Sequence, residues 1–397
     1  MTTEASLSPD GTLLNDARSL VPLLRKEAAE ADRTGRLSPA VAKSLRDAGF
    51  LTLMAPGRFG APEASARTTL EVARELARGC GSSAWVSLLL SGTAYLVALM
   101  DEQAQLEVWG TDRHTAVCIS YAPTGTAEVV PGGIKITGRW QPMSGVHLAD
   151  WALVGVMLPE GPEHGSRPMV ALVPCSDLTV HATWDNVGMR ATAGDSVSAD
   201  AVFVPRHRLL SFSEALAGHY DNRFPVKSLY RSPLGPLLPV ILMGPVLGLA
   251  EAAFTATAEI LGAGKPLGGS TYQDATDSPS VQLALADTAS LVDTARLHTY
   301  RALEDIERAH AQGSPLDMPA RARIRMDVGV AVSRAREAGT KLLTLGGARG
   351  LNLANPVQRM WRDLETAARH PVLSPDLGRE VYGRALLGKP GQVTPII

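Results

Sequence analysis

Hydrophobic and polar positions divide the chain into three textures. Between residues 13 and 112 apolar side chains recur at helical spacing. Leu20, Leu23 and Leu24 share one face, while Arg25, Lys26, Glu27 and Glu30 fall off it. Ser38-Pro39 followed by Gly49 is a capped start and a glycine stop, which predicts a short helix over Pro39 to Ala48. The loop 55–62 is full of breakers, and Thr68 to Arg78 is a further amphipathic helix stopped at Gly79. Ala84 to Met100 is uncharged for 17 residues. It carries Ser87, Ser91, Gly92 and Thr93 and is short for a membrane span, so a buried helix is expected.

From about Ala116 the period changes from helical to two. Ile134, Ile136 and Gly138 alternate with Lys135, Thr137 and Arg139 after a turn at Pro131-Gly132-Gly133. Trp151 to Met157 and Met169 to Pro174 read as short strands. From about Phe224 helical spacing returns over Gly248 to Leu261, Val281 to Ala311, Pro319 to Leu343 and Pro356 to Ala368. Long antiparallel helices of this kind form a bundle, with a flat face suited to a second copy. The fold class is therefore α+β. It comprises an N-terminal α-helical domain (1–115), a middle β domain (116–212) and a C-terminal helical bundle domain (213–397).

Composition narrows the partners. The 397 residues carry a net charge of -2, which gives no reason to expect a nucleic acid or an anionic membrane. Cys80, Cys118 and Cys175 lack metal-type spacing, so no metal is expected, and a reduced cytoplasmic setting fits. The N-terminal MTTEASLSPDG has no basic start and no apolar run, so no signal peptide is expected. No G-x-G-x-x-G follows a strand, so NAD(P)H binding in the usual way is not expected.

One stretch concentrates candidate chemistry. Residues 184–205 supply an indole (Trp184), glycine turns at Gly188 and Gly194, and Met189, Arg190 and Thr192 between them. A planar aromatic ligand needs such a flat wall with backbone donors and a polar edge. A β-hairpin with a buried Trp and a solvated Arg has the same pattern. The spacing W-x-x-x-GMRAT-x-x-x-x-V, followed by VFVP-x-x-R, resembles the middle-domain signature of the acyl-CoA dehydrogenase superfamily. It is most similar to the branch of two-component, reduced-flavin-dependent hydroxylases (group D flavin monooxygenases). The α–β–α order agrees, so the resemblance spans nearly the whole chain. It implies a middle β-sandwich or barrel and a C-terminal four-helix bundle.

The resemblance also implies roles. The stretches around Tyr121 and around Trp140, Ser144 and Gly145 would border a flavin ring. Ser144 would hold the N5 edge and a C4a-hydroperoxide formed from reduced FAD or FMN and O2. Trp184 and Met189 would pack the ring, and Thr192 and Arg190 would reach the ribityl chain or phosphate. The block Leu345-Gly346-Gly347, then Asn355-Pro356 through Arg362-Asp363, would meet the cofactor's far end from a neighbouring subunit, with Gly346, Gly347 and Arg362 in contact. His370 would face flavin and substrate and handle protons. Trp85 and Thr93 would line the substrate pocket. A separate NAD(P)H:flavin reductase and a homotetramer or homodimer follow from the family. The substrate would be an aromatic, polycyclic or amine compound.

Two departures matter. The glutamate of the family's dehydrogenases falls on Val372, and a pocket histidine of its phenol hydroxylases falls on Thr93. The first weighs against the alternative reading, an FAD-dependent acyl-CoA desaturase. The second leaves indoles, polycyclic aromatics and amines open as substrates. A non-catalytic ligand-binding relative is the third reading.

Overall fold

The computed structural model describes residues 9–159, 167–220, 224, 229–389 and 393–397. The chain opens with helices α1 (Pro9–Thr34), α2 (Pro39–Asp47), α3 (Ala66–Ala77), α4 (Gly81–Ala98) and α5 (Glu102–Trp109). Ser38 caps α2 by accepting the Val41 N–H at 3.3 Å, and Gly49 takes φ 73° just past its end. The uncharged α4 is the core helix of this region. Only Leu89 and Gly92 along it are not fully buried. A helix apolar all round needs protein on every side. Here α3, the sheet and later helices supply it.

The strands are β1 (Val117–Val130), β2 (Gly133–Trp140), β3 (Trp151–Leu158), β4 (Arg167–Pro174), β5 (Thr179–His181), β6 (Ser196–Pro205) and β7 (Leu209–Ser211). They form one seven-stranded sheet in the order β5-β6-β2-β1-β3-β4-β7. Every pairing is antiparallel except β1 with β3. Since β2 and β3 flank β1, residues 141–150 carry the chain across it. The stretch 184–205 is not a hairpin. Residues 182–195 are a long connection from β5, which the sequence pattern did not predict, into β6. The stretch around Tyr121, residues 119–125, lies inside β1, where pairing with β3 slips between Ser120 and Gly125.

The remaining helices are α6 (Phe212–Ala217), α7 (Leu234–Ile241), α8 (Met243–Leu261), α9 (Pro279–Gln312), α10 (Met318–Leu345), α11 (Gly347–Gly350), α12 (Pro356–Ala367) and α13 (Pro375–Leu386). Helix α10 packs along α9, α13 and α8, and α8 also takes α12 and α3. The approach of α8 to α3 needs Gly248, where an added Cβ would lie 2.2 Å from the Arg74 carbonyl oxygen. Residues 81–98 and 234–261 are long and apolar enough to cross a membrane, but they are 89% and 83% buried inside this protein. They are core segments of the fold described here.

Candidate active site

A cavity of about 820 Å³ lies where α4, β1, the 141–150 crossing, the 182–195 connection, α7 and the end of α12 converge. Asp185 and Val187 are exposed and mark its mouth. The buried aliphatic side chains Leu88, Leu96, Leu234, Ile241 and Leu242 line its interior. The volume suits a cofactor-sized ligand with room beside it. Both partly accessible residues of α4, Leu89 and Gly92, line this space. A Cβ at Gly92 would meet only Ile241 Cδ1, at 3.9 Å, so the glycine leaves an open notch.

The wall on the sheet side is held by buried charge. Asp195 closes the base of the connection by accepting the N–H groups of Thr183 at 2.9 Å and Trp184 at 3.0 Å. Its other oxygen takes Arg36 and His147, each at 2.8 Å. These donors outweigh burial and hold its pKa well below the usual carboxylate range. The crossing docks on the same connection, since Gly145 N–H donates to the Thr192 carbonyl at 2.9 Å. The short turn Arg190–Thr192 sits between Met189 (φ 52°) and Ala193 (φ 46°). Left-handed backbone at two side-chain-bearing residues costs energy and is kept where surroundings enforce it.

Helix α12 does the enforcing. Asp363 is fully buried and accepts the Met189 N–H at 2.6 Å. Its other oxygen stands at the start of α4, 3.1 Å from where a Gly81 Cβ would be. Burial pushes its pKa up to about 6, partly offset by the Met189 bond. Arg362 donates to Asp32 at 2.7 Å, to Gln358 at 2.8 Å and to the Val187 carbonyl. Gly188 is pressed onto this helix, and a Cβ there would fall 2.1 Å from the Arg362 carbonyl oxygen.

On the helical side, His370 lines the cavity just past α12. Its ring meets Trp85 edge-on, with centroids 5.6 Å apart. Burial lowers its pKa to about 4, so the ring is neutral at pH 7. Nδ1 accepts the Val372 N–H at 3.3 Å, which assigns the proton to Nε2. No described carboxylate at the cavity is free to act as a base. Glu365 is tied to Arg336 at 3.0 Å and to Arg369, and Asp185 lies beside Arg190 at the exposed mouth. Val372 is buried and offers no carboxylate.

The sequence candidates separate into three groups. Tyr121, Ser144 and His370 line the cavity with polar atoms left for a ligand. The Ser144 hydroxyl, in a residue 8% exposed, has no hydrogen-bond partner among the described residues. Trp85 and Met189 line it as apolar surface. Thr192, Trp184, Arg362 and Thr93 also line it, but with their donors spent within the protein. Thr192 and Trp184 both bond the Met189 carbonyl, at 2.8 and 2.9 Å, and Thr93 bonds Leu89 at 2.8 Å.

The third group does not reach the cavity. Trp140 is fully buried under the sheet, its indole N–H donating to Gly155 at 2.6 Å and its ring filling the space left by Gly125 and Gly138. Gly145 packs on Val86 and Leu90. Arg190 turns back to the Asp32 and Asn186 carbonyls, at 2.9 and 3.0 Å. Gly346 and Gly347 are exposed at the end of α10, away from this chain's own cavity. Among the polar lining residues that were not candidates are Ser120 and Gln141. Each neighbours a residue that was, but a serine within a strand or a glutamine just past one carries no sequence signal of its own.

Comparisons with known proteins agree along the whole chain. The family described as "Acyl-CoA dehydrogenase, N-terminal domain" matches residues 18–109, and "Acyl-CoA dehydrogenase, C-terminal domain" matches residues 240–375. The oxygenase subunit HsaA of a flavin-dependent monooxygenase from Mycobacterium tuberculosis (strain H37Rv) is 32% identical over 378 residues, covering 94% of each chain. The oxygenase component of an FADH2-dependent resorcinol hydroxylase from Rhizobium sp. is 31% identical, covering 97% of this chain and 96% of its own. The solved structure of XiaF from Streptomyces sp., in complex with FADH2 and glycerol, superposes with a TM-score of 0.92 at 31% identity, covering 98% of each chain.

Proposed function

This chain belongs to the acyl-CoA dehydrogenase superfamily, on its flavin-dependent monooxygenase branch, and from that premise we propose that it is the oxygenase component of a two-component aromatic hydroxylase. A separate NAD(P)H:flavin reductase supplies its reduced flavin, FAD or FMN. The substrate is an aromatic, polycyclic or amine compound that enters the aliphatic interior. Exposed Leu283 and Leu297 on α9 offer a face for a second copy, in line with a homotetramer or homodimer in the cytoplasm.

The observation that carries this reading is the pairing of a largely apolar cavity with a few unspent polar groups at one place. The residues fit a flavin. Trp184 and Met189 give a flat wall, and the unpartnered Ser144 hydroxyl gives a buried donor at its edge. Reduced flavin supplies the two electrons with which O2 yields one oxygen atom for the substrate and one for water. The chain's own work is to exclude solvent, orient the substrate and place hydrogen-bond donors. Leu88, Leu96, Leu234 and Ile241 keep the interior dry. Ser144 donates at the wall. His370, neutral with its hydrogen on Nε2, donates toward the reacting oxygen, and takes up a proton only once Nδ1 lets go of Val372.

The test uses 18O2. Enzyme loaded anaerobically with reduced flavin is mixed with 18O2 and a panel of phenols, indoles and polycyclic aromatics. One labelled oxygen atom in a product is expected. A complete panel without labelled product, from protein shown to bind reduced flavin, refutes the proposal.

A further inference from the structure

Arg325 on α10 is 2% exposed, and its stability role is hard to find. It pairs with no carboxylate among the described residues. Its guanidinium donates to the Val372 carbonyl, while its Nε has no partner. Burial pulls its pKa down to about 10, slightly offset by the nearby Tyr121 phenol at the cavity wall. A buried guanidinium with so little compensation costs stability, and an apolar residue of similar size is generally tolerated better. Its backbone is fixed as well, because Gly378 of α13 packs against the Arg325 carbonyl so closely that a Cβ would lie 2.5 Å away.

The residue it grips is the one that His370 uses. Val372 is held at both ends: its carbonyl by Arg325 and its N–H by His370 Nδ1. The turn Pro371–Leu373 between them is short and buried at Val372 and Leu373. Without the guanidinium, the Val372 carbonyl loses its only side-chain donor among the described residues, and the turn is left to its own backbone bonds, Leu373 N–H to the His370 carbonyl at 2.8 Å and Ser374 N–H to the Pro371 carbonyl at 3.3 Å, neither of which fixes the Val372 amide on the imidazole.

We propose that Arg325 is a positioning residue for His370, gripping the Val372 carbonyl so that the Val372 amide stays on Nδ1 and the ring presents Nε2–H to the cavity. This rests on the role given to His370 above. Arg325 touches neither flavin nor substrate. It acts on the reaction by fixing the orientation and hydrogen placement of one side chain, and misplacement of this kind costs about tenfold to a hundredfold.

The test joins a spectrum to a yield. Protein labelled with 15N-histidine gives the His370 ring signals, assigned by their loss in His370→Gln. Wild type is expected to show the neutral Nε2–H form at pH 7. Arg325→Met is expected to fold with an unchanged or higher Tm, to show mixed His370 tautomers, and to give about tenfold less hydroxylated product per flavin oxidised. Arg325→Lys, whose ammonium still reaches a carbonyl, is expected to restore both readouts. Arg325→Leu, which also lacks a donor, takes the place of the Met variant if that chain does not fold. An unchanged His370 spectrum and yield in Arg325→Met, or in Arg325→Leu in its place, overturns the proposal. His370→Gln separates the two readings: full product yield there sinks the role of His370, whereas normal loss there with a silent Arg325→Met sinks only the role of Arg325.

Discussion

On the sheet side of the cavity, residues 183–195 spend many of their polar atoms on the fold, whereas across from it α4 and α7 offer apolar surface and one glycine notch, with the His370 imidazole beside them. Asp195 and Asp363 stand behind the first wall and Arg362 lines it, and all three hold backbone in place. Across the cavity, α4 and α7 contribute no charged group to the lining. The difference teaches that the conspicuous charges of a motif can build a binding wall without touching what binds. Rigidity is concentrated on one side, and room for a variable guest on the other.

The largest expected effect comes from removing the buried imidazole of the helical side. His370→Ala is expected to cut hydroxylated product by about 100-fold or more while flavin oxidation continues. Product analysis against oxygen consumption checks this, and a loss of only a few-fold would make the helical side a passive container. Next comes Gly188→Ala on the opposite wall. Its Cβ has no room, 2.1 Å from the Arg362 carbonyl oxygen, so a loss of roughly 1–3 kcal/mol is expected in denaturant unfolding. Stability equal to wild type would show that the wall yields easily, against the contrast drawn above.

The two sides also respond oppositely to pH. Asp363 titrates at about 6 when folded and near 3.8 when unfolded. Between those values the folded state holds a proton that the unfolded chain has released, so this group's contribution to stability falls as pH rises. His370 titrates at about 4 when folded and near 6.5 when unfolded. There the unfolded chain binds the extra proton, so its contribution rises with pH. Relative to wild type, the change in stability from pH 4 to 6.5 is expected to be more positive in Asp363→Asn and less positive in His370→Gln. Each difference is on the order of 1–3 kcal/mol by paired denaturant titrations. Like-signed differences for the two variants would contradict the assignment. The smallest effect is Gly92→Ala, which fills open space in a helix and is expected to raise stability by up to about 1 kcal/mol. In contrast, Gly92→Leu is expected to slow turnover of bulky substrates before small ones, read as kcat/KM across a size series.

Much of this was legible beforehand, for a physical reason. Helical periodicity located the long C-terminal elements, because each buries one face along its whole length; α9 runs Pro279–Gln312 where Val281 to Ala311 was expected. The segment 182–195 was harder to read. Its glycines and indole looked like a hairpin, but Asp195 folds it back by accepting two amides from residues 183 and 184. No local pattern announces such a closure. The partners of Arg190 and Arg362 within the chain were not legible, for a related reason. A guanidinium suits a phosphate and a set of carbonyls equally well, and only packing shows that Asp32, Asn186 and Val187 claim these two. Trp140 was placed at the ligand by its spacing to Ser144. Strand alternation, which turns it beneath the sheet, was the better guide.

The parallel pairing of β1 with β3 carries one last consequence. An antiparallel neighbour is reached by a tight turn, but a parallel one obliges the polypeptide to make a detour, and residues 141–150 are that detour. The loop bearing Ser144 is thus a requirement of connectivity whatever it does for a ligand, because it is the segment that passes from β2 across β1 to β3. Redesign of this protein for new guests therefore has its freedom in the helices opposite, where side chains can be exchanged and the path of the chain stays as it is.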